Sequence, residues 1–248
     1  MALDLNDKTS SGNTLTNVNT VTEETASLPF AQSTSAADFE RSSSQYLYAA
    51  DSASLSITGD FTLEMWVKFE SLPTPASGDV WTFFSKYRTD TANRSYLWFF
   101  RADIGPQYRI KLLLSNDGTA LETEEVDWTP STGTWYHVAV SYDNAGSVKF
   151  YVDGAQQGST QTTSIASVYD GNARGVIGAN NTESGATEFF DGVIDDVRVW
   201  NVVRTQSEID NNKSVELVGN ETNLVAYWPF ETTLGASVAT VGMPILIV

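Results

Sequence analysis

Cysteine is absent from the 248 residues, and histidine occurs once, at His137. Without thiols there is no disulfide framework, no cysteine nucleophile and no thiolate metal site, and a single imidazole cannot build a histidine cluster for zinc. Basic residues are scarce too: 14 Lys and Arg stand against 31 Asp and Glu, a net charge of -17 with pI ≈ 4.2. A field of that sign repels phosphate backbones and anionic lipid surfaces, which excludes nucleic acid and membrane surfaces as favoured partners. Long apolar runs are also missing. The longest, Val238 to Val248, is broken by Thr240, Gly242 and Pro244 and is too short to span a bilayer. The segment after Met1 has neither the basic start nor the apolar core of a secretory signal, so a soluble chain without a leader is expected.

Aromatic residues, by contrast, make up 12% of the chain, with seven tryptophans, and charged residues only 18%, a composition that packs a core rather than staying disordered. Period-2 patterning dominates. In FTLEMWVKF, Phe61, Leu63, Met65, Val67 and Phe69 share one face and Thr62, Glu64, Trp66 and Lys68 the other, as in a half-buried antiparallel strand. The same reading fits Ile110 to Ser115, Trp135 to Asp143, Ser147 to Gly154, Gly192 to Trp200 and a closing strand in Leu224 to Glu231. Turn signals separate them, among them Asp143-Asn144-Ala145-Gly146, Asp153-Gly154 and Asp170-Gly171-Asn172. Short strands at this spacing predict an all-β, two-sheet antiparallel sandwich. One short helix is expected over Gln206 to Asn212, behind a Thr205/Glu208 capping box. Residues 1–36 read as a polar lead-in with room for one strand, 37–232 as the sandwich, and 233–248 as a closing strand or a docking tail.

Taken in order, ADFERSSSQYLYAADSASLSITGDFTLEMWVKFE, GTWYHVAVSYD, SVKFYVDGAQQGS, FDGVIDDVRVWNVVRTQSEI and NLVAYWPFE resemble the laminin-G-like domains of the concanavalin A-like lectin/glucanase superfamily, from about Asp38 to Glu231. The resemblance implies a jelly roll with one concave sheet, used in different members for glycan binding, protein binding, structural spacing or glucan hydrolysis, so fold alone does not decide function. Retaining glucanases of this fold carry Glu-x-Asp-x-x-Glu on one strand. Here Glu125-Val126-Asp127 is followed by Pro130 where the second Glu belongs, and a non-enzyme is expected.

Flat rings stack on sugar faces while amides and carboxylates read hydroxyls. Trp81, Tyr87, Tyr96, Tyr108, Trp128 and Tyr169, near Asn93, Arg94, Arg101, Gln107 and Asn180, are the candidate ligand-binding residues, placed in loop-like stretches. His137 reads as a satisfied strand residue. A structural Ca2+ is the cofactor considered, on Asp191 and Asp195 with Asp7 and Asn13 from the lead-in, against the alternative that Asp196 pairs with Arg198 on its own strand. The expectation is a non-catalytic, surface-displayed glycan-binding module. Its alternative is a structural component of a phage capsid, fibre or bacterial surface layer, outside the cell or on a virion, as a homo-oligomer or attached to a larger particle.

Overall fold

The computed structural model describes residues 3–75, 78–88, 92–103, 107–182 and 185–231, so the extension expected over 233–248 lies outside the described residues. Seventeen strands and one α-helix follow in chain order among them. They are β1 Thr16–Val18, β2 Thr22–Glu24, β3 Ala36–Phe39, β4 Tyr46–Ala49, β5 Phe61–Phe69, β6 Val80–Arg88, β7 Asn93–Asp103, β8 Gln107–Gly118 and β9 Glu122–Asp127. After these come β10 Trp135–Asp143, β11 Ser147–Val152, β12 Ala155–Thr162, β13 Gly175–Ile177, β14 Asn180–Thr182, β15 Gly185–Thr187, β16 Gly192–Trp200, α1 Gln206–Asn212 and β17 Leu224–Trp228. The first sheet runs β1-β4-β13-β6-β7-β8-β9, with the β14–β15 hairpin beside β6; the second runs β12-β11-β10-β5-β16-β3-β2, with β17 against β16. All pairings are antiparallel except the single bridge between Asn181 and Arg88.

The core lies between the sheets. From the second sheet it receives Phe61, Leu63, Met65, Val67 and Phe69, and from the first Phe83, Tyr96, Trp98, Phe100, Ile110, Leu112 and Leu114. Rings interlock across the gap: Phe69 has its centroid 5.0 Å from Phe100, 5.4 Å from Phe190 and 5.7 Å from Trp128.

One expectation is overturned in β5. A half-buried strand should wet Thr62, Glu64, Trp66 and Lys68, yet all nine residues of β5 are buried. The cause is a roof over the second sheet. Helix α1 forms as expected, its first turn closed by Glu208 N–H to Thr205 Oγ1 at 3.3 Å and Thr205 N–H to Glu208 Oε2 at 2.7 Å. Ile209 of that helix packs on Ala139 and Tyr151, and Trp66 Nε1 donates to the Lys213 carbonyl at 2.6 Å. The helix also passes so close to the Asp153-Gly154 turn that a Cβ at Gly154 would lie 2.9 Å from the Asp210 Cα.

The lead-in is stitched to the other end of the described chain. Asp7 accepts backbone N–H from Thr9 and Asn13, both at 2.9 Å, and from Tyr227 at 3.0 Å, while Trp228 Nε1 donates to the Asn13 carbonyl at 2.8 Å.

Candidate functional site: the open face of the first sheet

Among the described residues, the outer face of the first sheet is open toward β8 and β9: Arg109, Leu113, Thr123, Glu125 and Asp127 are partly or fully exposed, whereas Thr82, Ser85, Leu97, Phe99 and Val176 on that face are buried. Register sets out a row across seven strands, Thr16–Tyr48–Val176–Ser85–Leu97–Leu113–Thr123. Beside it runs Thr82–Phe99–Lys111–Glu125, and beyond that Val80–Arg101–Arg109–Asp127. Alternation places these residues together: their sequence neighbours Phe100, Ile110 and Leu112 point into the core. The face divides by chemistry. Tyr87, Leu97 and Phe99 form an apolar cluster with Val80 and Leu113, and Tyr46 and Val176 form a second with Tyr48, Phe189 and Val18. Next to the first cluster is a charge lattice. Arg109 donates to Asp127 at 2.9 Å, Asp103 at 3.2 Å, Gln107 at 3.0 Å and also to Glu125, while Lys111 holds Asp103 at 2.8 Å and Glu125 at 2.7 Å.

The loop placement of the candidate ligand residues is corrected. Trp81, Tyr87, Asn93, Tyr96, Arg101 and Tyr108 all lie in β6, β7 or β8. Trp81, Tyr96 and Trp128 face the core at 3%, 0% and 8% exposure, so no sugar can stack on them. Tyr108 is half-buried, its ring stacked on Phe100 at 5.6 Å. Tyr169 is half-buried in the loop before β13, against Gly118 and Gly171. Asn93 accepts from Asn172 N–H at 3.3 Å. Tyr87, under the Arg94 guanidinium at 5.8 Å, belongs to that face but is only 5% exposed, so of these residues Arg101 alone is accessible on it. Sequence reasoning missed Tyr46, Tyr48, Leu97, Phe99, Lys111 and Leu113, which register brings together.

The four expected calcium ligands do not form one site. Both carboxylate oxygens of Asp7 already accept N–H groups, and Asn13 Oδ1 accepts Ser52 Oγ at 2.6 Å and Ser54 Oγ at 3.1 Å. These oxygens are committed to protein donors and do not fit a cation. Asp195 is fully buried, accepting Ser33 Oγ at 2.7 Å and Asp196 N–H at 2.8 Å, and burial pushes its carboxyl well above the usual range. Asp191 accepts Arg41 N–H at 3.2 Å and the Ser71 hydroxyl. Its surroundings are more telling: carboxylate oxygens of Asp38, Glu40 and Glu70 lie within 4.8 Å of one another. Burial, with repulsion from neighbouring carboxylates including Asp191, raises the pKa of both Asp38 and Glu70.

Under the roof the alternative reading holds, since Arg198 pairs with Asp196 at 2.5 Å. A bulge in β16 between Asp195 and Arg198, with Asp196 at φ 54, breaks the alternation and buries both aspartates. His137 is not satisfied as expected. Neither ring nitrogen has a hydrogen-bond partner, Glu64 Oε2 stands 3.5 Å from Nε2, and burial drives the imidazole pKa well below its usual value. Strand β9 ends at Asp127, so Pro130 lies beyond it and no strand carboxylate occupies the second catalytic position.

The fold has many counterparts among solved structures. Tailspike protein 2 of a bacteriophage of Escherichia coli O157:H7 superposes with TM-score 0.66 at 13% identity, over 94% of this chain and 31% of that one. Domain 4 of AbnA, an extracellular arabinanase from Geobacillus stearothermophilus solved with arabinotriose, matches at TM-score 0.57 and 20% identity, over 85% of this chain and 97% of that one. The binding domain of botulinum neurotoxin serotype G matches at TM-score 0.56 and 13% identity, over 82% and 46%. The chain thus spans less than half the length of the tailspike and of the toxin domain. At these identities the likeness is one of fold. No curated protein matches the chain. A family model does, over residues 41–210. With two sheets, an open face and that match across more than half its length, the chain belongs to the concanavalin A-like lectin/glucanase superfamily.

Proposed function

We propose that this chain is a non-catalytic glycan-binding module that takes saccharides on the open face of the first sheet. The observation that carries it is the accessible stretch of that face on β7, β8 and β9, an apolar floor at Leu113 flanked by Arg101, Asp103, Arg109, Thr123, Glu125 and Asp127. Sugars present apolar C–H faces and hydroxyl rims, and such a floor with polar edges matches both. The carbohydrate-associated relatives support the reading. Glu125 and Asp127 share Arg109 as an ion-pair partner, which suits fixed hydrogen-bond acceptors better than an acid and a nucleophile.

A glycan array tests this. Retention by the wild type, lost in Leu113→Glu with an unchanged circular dichroism spectrum, is the expected result. A silent array, or retention unaffected by Leu113→Glu, defeats it. Incubation with laminarin should release no reducing ends. The 94% coverage by a tailspike favours a second reading, a structural part of a phage particle or other surface assembly, displayed outside the cell. Oligomerisation or co-sedimentation with particles, with no glycan retained, would favour that reading. Calcium is proposed only beside Asp38, Glu40 and Glu70.

A further inference from the structure

At the other end of that face stands Arg174, which differs from most of the chain's bases. Acids outnumber bases by more than two to one. Among the described residues, at least ten bases accordingly lie within 4.0 Å of a carboxylate: Lys8, Arg41, Lys68, Lys86, Arg101, Arg109, Lys111, Arg198, Arg204 and Lys213. Arg174 has no carboxylate partner among the described residues. Its guanidinium lies over the Tyr48 ring at 4.3 Å and donates from Nη2 to the Asn181 Oδ1 amide oxygen at 2.7 Å. Stacking uses the flat face of the guanidinium and leaves its N–H edge for a partner in the plane.

That edge borders a cavity of about 300 Å³ lined by Arg88, Asn172, Arg174, Asn181 and Thr182. The described lining therefore holds two guanidiniums, two amides and a hydroxyl. Its walls are fixed. Asn181 is 1% exposed, β14 bridges β6 at Asn181 and Arg88, and the loop before Arg174 is pinned by Lys86, whose ammonium takes the carbonyls of Gly171 at 2.9 Å and Ala173 at 3.0 Å. Tyr46 and Phe189, 6.2 Å apart, continue the aromatic surface from Tyr48.

We propose that this cavity is a subsite for a saccharide carboxylate, the uronic-acid class, with Arg174 as the fork that receives the carboxylate and Asn172, Asn181 and Thr182 reading the neighbouring hydroxyls. A guanidinium matches a carboxylate in two parallel hydrogen bonds, and here no protein carboxylate among the described residues competes for it. The acidic remainder of the surface repels anions that lack such a receptor, so the subsite confers selectivity as well as affinity. This inference rests on the glycan-binding reading and narrows it to acidic sugars.

The test is an NMR titration of isotopically labelled protein with methyl β-glucuronide and, at equal ionic strength, with methyl β-glucoside and inorganic phosphate. The glucuronide is expected to shift the Asn181 side-chain amide and the Asn172 backbone amide and to bind about tenfold more tightly than the glucoside. Arg174→Gln should abolish that preference and Arg174→Lys should retain part of it, because the charge remains and the fork does not. Equal affinity for the two glycosides, or a preference that survives in Arg174→Gln, overturns the inference and leaves the glycan-binding reading standing if the array still retains a neutral glycan. Phosphate binding as tight as the glucuronide reduces the cavity to a bare anion site and overturns the saccharide assignment. Silence toward both glycosides with a silent array overturns both.

Discussion

The outer faces of the two sheets carry the same kinds of side chain under opposite conditions. On the second sheet, Glu64, Asp195, Asp196, Arg198 and His137 are at most 1% exposed, sealed by α1 and the segment that follows it. On the first, Arg109, Asp103, Glu125 and Asp127 face water, with the Asp127 side chain 71% exposed. A charge in water loses little when its partner is removed. A charge beneath the roof has nowhere else to go. The sealed face therefore holds the fold, and the open face is free to be spent on a ligand.

The sharpest break of that contrast is Arg198→Met. It strands Asp196 beneath the roof and removes the hydrogen bonds to the Asn212 and Val215 carbonyls, at 3.0 and 2.7 Å. A loss of about 3–5 kcal/mol is expected by chemical denaturation, and a loss below about 1 kcal/mol would mean that the roof is wet. His137 offers a spectroscopic version, since it is the chain's one histidine. With its pKa depressed by burial, its ring resonances should not titrate with the midpoint of a free imidazole, near pH 6.5. The sign follows: the unfolded state takes up a proton below about pH 6.5 while the folded state does not, so stability falls as pH drops through that value. A folded-state midpoint near 6.5 would refute the sealed face.

Glu124 probes the boundary between the two regimes. It pairs in register with the core-facing Leu112, and burial, reinforced by Glu122 and Glu125, pushes its pKa up to about 7. An acid with a raised folded pKa costs stability as pH rises from the unfolded value through the folded one. Glu124→Gln should then raise the melting temperature by about 3 °C at pH 8 and leave it almost unchanged at about pH 4, below the unfolded value, a pH-independent effect being the contrary result. On the open face, Arg109→Ala should cost no more than about 1 kcal/mol despite its four partners, and a larger cost would make the lattice structural. The smallest change is expected at Glu70→Gln, a gain of about 1 °C without added metal, since it relieves repulsion from Asp38 and Glu40. If millimolar calcium raises the melting temperature of the wild type and not of this variant, the carboxylates hold an ion.

Strands β5 and β10 and helix α1 could be read from the sequence because their signals are local, an unbroken period of two or a capping box, and β16 was legible despite its bulge because apolar residues recur on both sides of it. Strand β6 could not be. Its register shifts between Thr82 and Phe84 and again between Lys86 and Tyr87, so alternation in VWTFFSKYR fails and its aromatic residues look like a loop. The roof was hidden for another reason. Thr62, Glu64 and Lys68 form a polar stripe that ordinarily faces water; the return of residues 200–217 over β5 buries its first part, and Trp135 with Glu24 covers Lys68. The Arg174 cavity joins Tyr48, Arg88 and Asn181 from three separate strands, a proximity set by strand order alone.

The clamp at Asp7 also constrains how the chain comes to be folded. Asp7 waits for the N–H of Tyr227, and Asn13 for the indole of Trp228, partners more than two hundred residues downstream. During synthesis the lead-in emerges first and finds its place last. Contacts this distant in sequence make for slow closure, and until β17 arrives the edge of β16 beyond Asp195 has no neighbour. A nascent chain halted between Trp200 and Tyr227 is therefore a sandwich with one open seam, and its exposure to aggregation should end only when that strand clears the ribosome.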